Sequence, residues 1–243
     1  MMAIHGALLD NDGTLTLSND AHAHAWVDAF VEQGYDVRFE TVRPLLGMGG
    51  DKLEPEVVPG LSSDDGVGKT IADRRLAIFL ERYAPHLQPA PGARELVQHM
   101  KEDGLRLIVA SSAKPDELDV LLTKARVDDL LPARTTSADA GETKPAPDIV
   151  AVALKKIGLQ ADQVLMLGDS PYDIAAAGKI GVGVIALRCG GFTDEQLKGA
   201  VAIYDDPADL LARYDASPLR EVSRPAGAEV RGETTLDTED GGV

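Results

Sequence analysis

The chain has 243 residues, of which 44% are hydrophobic and 26% charged, a composition typical of a globular protein in water. Its formal net charge of −16 excludes nonspecific binding to nucleic acid and to anionic membranes, because both repel an acidic protein. No apolar run approaches the roughly 20 residues that a membrane-spanning helix needs. The chain begins without the pattern of a signal peptide, and its single cysteine excludes an internal disulfide. We therefore expect a cytoplasmic protein that binds neither nucleic acid nor membrane.

Short apolar segments rich in β-branched residues recur along the chain and predict β-strands. They cover residues 6–10, 105–110, 163–167 and 182–187, with weaker candidates at 133–136 and 201–204. Amphipathic segments predict helices at 93–103, 115–124, 147–157 and 171–180. Strands that alternate with helices predict a parallel sheet covered on both faces, which is a Rossmann-like α/β core.

Residues 16–88 interrupt this alternation. They contain helical patterns at 22–33 and 71–83, a Gly-rich turn at 47–50 and no convincing strand. Pro89-Ala90-Pro91-Gly92 marks the end of the stretch. We therefore predict a core formed by residues 1–15 and 89–215, with residues 16–88 inserted as a helical cap. Residues 216–243 are polar and lack apolar periodicity, which predicts a disordered tail.

Polar side chains follow the predicted strands or precede the predicted helices at one edge of the sheet. In chain order these are Asp10 and Asp12, Ser111 and Ser112, Lys144, and Asp169 and Asp173. Because the carboxyl ends of parallel strands meet at the same edge, we expect these side chains to converge on one site.

The chemistry that suits this set is phosphoryl transfer. Asp10, Asp12 and Asp169 offer the oxygen ligands that Mg²⁺ prefers, and the ion reduces the repulsion between an attacking carboxylate and a phosphate. Ser111 can donate a hydrogen bond to a phosphate oxygen, and Lys144 supplies positive charge to the transition state. One carboxylate can attack, while the carboxylate two residues further on moves protons.

The same motifs identify a family. In order and spacing they resemble the four motifs of the haloacid dehalogenase superfamily, here Asp10-Asn11-Asp12-Gly13-Thr14, Ser111, Lys144-Pro145 and Gly168-Asp169-Ser170-Pro171-Tyr172-Asp173. The resemblance covers residues 1–215, and the insertion is similar to the family's helical type of cap. It implies that Asp10 is the nucleophile and that Asp12 is the acid/base, with the Asp12 backbone carbonyl on the metal.

The resemblance also implies the roles of the other residues in these motifs. Ser111, with Ser112 beside it, and Lys144 would bind phosphate. Asp10 and Asp169 would coordinate Mg²⁺, and Asp173 would either bind the metal directly or contact one of its ligands. One departure from the family pattern is Asn11, which stands where the family has an apolar residue.

The second aspartate of the first motif, Asp12, limits the reactions that the resemblance allows. Members that cleave carbon–halogen or carbon–phosphorus bonds lack it, whereas phosphoglycolate phosphatases and β-phosphoglucomutase-type mutases keep it. The mutases carry an arginine in the Gly-rich cap loop, where this chain offers Lys52, and lysine cannot hold a second phosphate bidentately. The resemblance therefore favours a Mg²⁺-dependent phosphatase that acts on a small phosphorylated metabolite through an aspartyl-phosphate. A mutase and a catalytically silent binding module are the alternatives.

Three further residues are candidates for substrate contact. His22 lies where the mutases have a cap-hinge histidine, and Asn19 or Asp20 is expected to cap its helix. Lys52 and Lys114 are candidates because an acidic protein needs cations near an anionic ligand, although either lysine could equally lie on the surface. The sequence leaves the oligomeric state open.

Overall fold

Six parallel β-strands form a single sheet in a computed structural model of the chain, which describes residues 3–220. The strands are β1 (Gly6–Leu9), β2 (Arg106–Ala110), β3 (Arg134–Thr135), β4 (Val164–Gly168), β5 (Gly183–Leu187) and β6 (Ala202–Tyr204). Their order is β3-β2-β1-β4-β5-β6, and every neighbouring pair is parallel. This arrangement confirms the predicted Rossmann-like α/β core, including the two weaker strands.

Five helices outside the insertion cover the two faces of this sheet. They are α5 (Ala93–Glu102), α6 (Pro115–Ala125), α7 (Asp148–Ile157), α8 (Pro171–Gly178) and α9 (Pro207–Ala212). The first four confirm the predicted helices to within two residues at each end, whereas α9 was not predicted. Alternate residues of β1 serve the two faces: Ala7 and Leu9 pack with α5 and α6, and Leu8 packs with α7 and α8. The central strands are therefore buried on both sides, as parallel strands between helices must be.

The insertion after β1 is helical and has its own apolar core. Its helices are α1 (Asn19–Glu32), α2 (Phe39–Val42), α3 (Gly50–Val57) and α4 (Gly66–Ile78), and α4 runs on into a π-helical turn, Phe79–Tyr83. Trp26, Phe30, Ile71 and Phe79 are buried together there, and Leu121 of α6 joins them from the core. We refer to residues 16–88 as the cap. Of its helices, the sequence predicts α1 and α4 but not the shorter α2 and α3.

The last described residues return to the core. Ser217 and Leu219, which the sequence interpretation assigns to the tail, are buried, and Arg220 pairs with Asp103 at 2.5 Å. Residues 221–243, the rest of the predicted tail, lie outside the described residues. Within residues 3–220 there is no helix that is both long and apolar enough to cross a membrane.

One buried acid of the cap should make stability depend on pH. Glu54 of α3 is fully buried, and neither of its carboxyl oxygens has a hydrogen-bond partner within residues 3–220. Burial raises its pKa to about 7, nearby carboxylates such as Asp51 add to the rise, and Arg75 opposes it. Because the folded pKa exceeds the ordinary value, Glu54 reduces stability increasingly as pH rises from about 4.5 to 7, and the loss persists above that.

We therefore expect Glu54→Gln to stabilise the fold more at pH 8 than at pH 5.5, by about 1–2 kcal/mol. Urea unfolding of both proteins at the two pH values measures this difference. Glu56→Gln is the matched control, since Glu56 lies in the same helix but is exposed. An equal gain at both pH values would show that Glu54 is ionised in the folded state throughout.

Candidate active site

A buried lysine lies at the carboxyl edge of the sheet between two carboxylates. Lys144, in the loop before α7, is 1% exposed, and its Nζ lies 2.6 Å from Asp10 Oδ1 and 2.8 Å from Asp173 Oδ1. Asp10 directly follows β1, and Asp173 belongs to the first turn of α8. Burial alone would lower the pKa of Lys144, but the two carboxylates raise it above its ordinary value. Lys144 is therefore charged, and both carboxylates contact it.

A third carboxylate joins this pair and makes the site electronegative. Oxygen atoms of Asp10, Asp169 and Asp173 all lie within 4.8 Å of one another, and all three residues are buried. Burial, with the neighbouring carboxylates, raises the pKa of Asp10 to about 7 and that of Asp169 well above its ordinary value, although Lys144 opposes both shifts. One lysine does not balance three carboxylates, and clustered carboxylate oxygens are the ligands that Mg²⁺ takes. These residues therefore fit a Mg²⁺ ion.

Asp169 is held by the cap as well as by the core. The Asn19 side-chain amide, at the start of α1, donates hydrogen bonds to Asp169 Oδ2 at 2.7 Å and to the Gly190 carbonyl at 3.0 Å. The expectation that Asn19 or Asp20 caps α1 is therefore wrong: Ser18 occupies the N-cap, and no side chain caps the helix there. Gly190 leaves no room for a side chain, since a Cβ there would overlap the Asp169 carboxylate.

The second aspartate of the first motif has different surroundings. Asp12 Oδ1 accepts a hydrogen bond from Ser18 Oγ at 2.5 Å and lies 2.8 Å from His22 Nε2. Burial would raise the pKa of Asp12, but His22 and Ser18 together lower it below its ordinary value. Its carboxylate does not belong to the three-carboxylate cluster. The two aspartates are therefore arranged for different tasks.

Ser111 and Ser112, the predicted phosphate-binding serines, lie beside Asp10 and Asp12. A cavity of about 60 Å³, which we call the inner cavity, is lined by Asp10, Asp12, Ser111 and Ser112 together with cap residues that include His22. Ser111 is buried, and its Oγ accepts a hydrogen bond from the Ala113 backbone at 3.1 Å. The structure thus brings together the predicted residues of all four motifs, and His22 of the cap with them.

The two predicted lysines are placed differently. Lys52 Nζ contacts Glu142 Oε2 at 3.1 Å, and Lys114 Nζ contacts Asp73 Oδ1 at 3.4 Å. Neither lysine lines the inner cavity.

The cation that does line the inner cavity is one that the sequence reasoning missed. Arg75 of α4 forms an ion pair with Glu117 of α6, and its guanidinium lies over the Trp26 ring, 4.9 Å from the ring centroid. Glu117 also lies 3.7 Å from His22 Nδ1. The available signal was a charged residue within an apolar helical stripe, since Arg75 follows Ile71 and Ala72 and Glu117 precedes Leu118 and Leu121.

Comparison with known proteins places these residues in a family. A sequence profile described as haloacid dehalogenase-like hydrolase matches residues 7–187. The chain belongs to this family. This result confirms the resemblance drawn from the motifs, and it makes the protein a hydrolase by family.

Named relatives include phosphatases. The chain is 31% identical over 212 residues to phosphoglycolate phosphatase of Rhodospirillum rubrum, an alignment that covers 84% of this chain and 88% of that protein. It is 32% identical over 193 residues to Protein SUPPRESSOR OF QUENCHING 1, chloroplastic, of Arabidopsis thaliana, with 76% of this chain covered. The chain spans only 18% of the length of that Arabidopsis protein.

Solved structures share the fold. A hydrolase from Pseudomonas syringae superposes with a TM-score of 0.82 at 26% identity, over 88% of this chain and 98% of the other. A mutant of CbbY from Rhodobacter sphaeroides, in complex with xylulose-(1,5)bisphosphate, superposes with a TM-score of 0.69 at 25% identity, over 85% and 96%.

The close approach of Gly190 to Asp169 provides a test of the carboxylate cluster. We expect Gly190→Ala to displace the Asp169 carboxylate and to weaken Mg²⁺ binding by about tenfold or more, because an added Cβ would overlap it. Calorimetric titration with Mg²⁺ measures the affinity, and circular dichroism verifies that the variant is folded. Gly178→Ala is the matched control, since a Cβ at Gly178 meets open space. Equal affinities in the two variants would contradict a metal site at Asp169.

Proposed function

We propose that the protein is a Mg²⁺-dependent phosphatase that hydrolyses a small phosphorylated metabolite through an aspartyl-phosphate on Asp10. The observation that carries this proposal is the contrast between the two aspartates of the first motif. Asp10 lies against Lys144 in the carboxylate cluster, whereas Asp12 accepts a hydrogen bond from Ser18 and contacts His22. One is placed to attack phosphorus, and the other is placed to transfer protons beside it. The phosphatase names of several relatives support the same reaction.

Asp10 is the proposed nucleophile. Its Oδ1 receives a hydrogen bond from Lys144, so the attacking group and the strongest local cation are adjacent. Asp10, Asp169, Asp173 and the Asp12 carbonyl would hold Mg²⁺, which supplies charge neutralisation for a phosphate that approaches three carboxylates. Attack by Asp10 forms the aspartyl-phosphate and releases the alcohol of the ester.

Asp12 and His22 are proposed to transfer the protons of the two steps, to the leaving oxygen and from the attacking water. A proton that passes from His22 Nε2 to Asp12 Oδ1 across 2.8 Å can be donated to the leaving oxygen. Asp12 then becomes the ionised carboxylate that its surroundings favour, and in that form it accepts a proton from the water that attacks the aspartyl-phosphate. Phe79 stacks on His22 with ring centroids 3.9 Å apart, which keeps the imidazole directed at Asp12.

Ser111 and Lys144 are proposed to hold the transferred phosphoryl group. Both are buried at the carboxyl edge of the sheet, close to where Asp10 attacks. A hydroxyl donor and an ammonium group at fixed positions stabilise the charge that spreads over the phosphoryl oxygens. The proposed location of the enzyme is the cytoplasm, in line with its acidic composition.

The first test is phosphate release from a panel of phosphate monoesters, with Mg²⁺ and with a chelator. We expect release that needs Mg²⁺, and we expect Asp10→Asn to reduce it by about 10³-fold or more, because an amide cannot form the aspartyl-phosphate. The substitution keeps the shape of the side chain, and a thermal unfolding curve verifies the fold. The absence of release even from p-nitrophenyl phosphate would rule out the phosphatase and leave the mutase and the binding module to test.

A second test separates the roles of the two aspartates. In Asp12→Asn, p-nitrophenyl phosphate should still phosphorylate Asp10, because nitrophenolate leaves without protonation. Hydrolysis of the aspartyl-phosphate should slow by about 10²–10⁴-fold, so the phosphoenzyme accumulates. Intact-protein mass spectrometry after quenching in acid detects the adduct. If Asp12→Asn turns over at the wild-type rate without accumulation, Asp12 is not the base.

A further inference from the structure

A second cavity opens directly beside the inner cavity. Its volume is about 360 Å³, and we call it the outer chamber. The two spaces share the walls formed by Trp26, Arg75, Ser112 and Glu117. On the proposed function, on which this inference rests, a phosphate held at Asp10 would send its organic group past the Arg75–Glu117 pair into the outer chamber.

The size of the outer chamber exceeds what a two-carbon acid needs. At about 30 Å³ for each water molecule, the chamber holds about twelve water-sized groups. The chamber is therefore large enough for a leaving group of the size of a sugar. A glycolate group would leave most of the space to water.

The side chains that line the outer chamber carry a net negative charge, which disfavours a ligand with a second anionic group besides its phosphate. Four carboxylates line it, from Asp51, Asp64, Glu117 and Glu142, against two cations, Arg75 and Lys114. Both cations have carboxylate partners, because Arg75 pairs with Glu117 and Lys114 with Asp73. Lys52 adds a cation behind Glu142, and it is paired as well. Among the described residues, Asp64 makes no ion pair. A carboxylate or second phosphate in the chamber would therefore meet surplus negative charge.

The uncharged part of the lining is rich in hydroxyl groups. Ser63, Ser112, Ser137 and Thr143 line the chamber, and the Trp26 ring forms an apolar wall. Hydroxyl groups donate and accept hydrogen bonds, and carboxylates accept them, so together they complement a ligand that carries many hydroxyl groups. A free carboxylate of a ligand could bind only to the hydroxyl groups, because the carboxylates of the lining have no proton to donate to it.

We propose that the outer chamber receives an uncharged, hydroxyl-rich leaving group. The preferred substrates are therefore monophosphates of sugars or polyols, ahead of phosphoglycolate and ahead of bisphosphates. The selectivity comes from the carboxylates around the leaving group, whereas the four motifs only determine that a phosphate is transferred.

Matched pairs of esters test this selectivity at constant size. Glucose 6-phosphate is compared with 6-phosphogluconate, and glycerol phosphate with phosphoglycerate, since each second member adds a carboxylate. Phosphoglycolate completes the panel. We expect kcat/KM to be at least about tenfold higher for the uncharged member of each pair. Equal or higher values for the acids would overturn the proposal.

Two matched double variants locate the source of the selectivity. Asp64→Asn with Glu142→Gln removes two chamber carboxylates, and we expect the ratio of kcat/KM within each pair to fall at least about threefold. Asp65→Asn with Asp162→Asn makes the same change in net charge at exposed residues that do not line the chamber. That control should keep the wild-type ratio. If the ratio does not move, or moves equally in both variants, the chamber carboxylates do not set it.

A binding measurement keeps this proposal separate from the proposed function. Calorimetry with Asp10→Asn and Mg²⁺ gives the dissociation constants of glucose 6-phosphate and 6-phosphogluconate without turnover. Tighter binding of the sugar phosphate by about tenfold supports the chamber assignment even if no ester is hydrolysed. Equal affinities overturn the assignment even if p-nitrophenyl phosphate is hydrolysed, in which case the phosphatase stands and the chamber does not select.

Discussion

The contact on which the site depends is that of Lys144 with Asp10 and Asp173. An ammonium group with 1% exposure keeps its charge only beside carboxylates, and here two carboxylates lie within 2.8 Å of its Nζ. That contact requires the end of β1, the start of α8 and the loop before α7 to meet. The parallel sheet provides this meeting point because β1 and β4 are neighbours, paired in register from Gly6 with Val164 to Leu9 with Leu167. The fold therefore determines the site, because β1 and β4 end where Lys144 contacts Asp10 and Asp173.

A single cap helix, α1, contacts both the carboxylate cluster and Asp12. Asn19 and His22 lie less than one turn apart in α1, and they reach Asp169 and Asp12 respectively. Because Asn19 and His22 belong to the cap, a movement of α1 would change the contacts of Asp169 and of Asp12. Cap position is thereby coupled to the carboxylate cluster on one side and to the acid/base pair on the other. An insertion at this point of the chain gives the cap direct control over the environment of the reacting groups.

Sequence reasoning succeeded where a local pattern determines the structure. Strands such as β4 and helices such as α7 follow from hydrophobic periodicity, and the motif residues lie at strand or helix ends, where parallel sheets place their sites. It failed where contacts between residues that are far apart in the sequence determine the structure. Asn19 looks like a capping residue, but it bonds to Asp169, 150 residues away, and the Arg75–Glu117 pair joins α4 to α6 across 42 residues. The four-residue helix α2 and the Pro55-containing α3 have too few turns for periodicity to reveal them.

The Arg75–Glu117 pair also affects whether the site can bind a second phosphate. The Gly-rich cap loop lacks an arginine, which on its own disfavours a mutase, yet the structure supplies a guanidinium from α4 to the inner cavity. That guanidinium already has a partner, because its Nη1 pairs with the buried carboxylate of Glu117, and a phosphate that drew Arg75 away would weaken this pair. Leaving a buried carboxylate unpaired costs several kcal/mol, which is comparable to what a second phosphate would gain. Glu117 thus competes with a second phosphate for Arg75, which favours hydrolysis of a monophosphate over a mutase reaction.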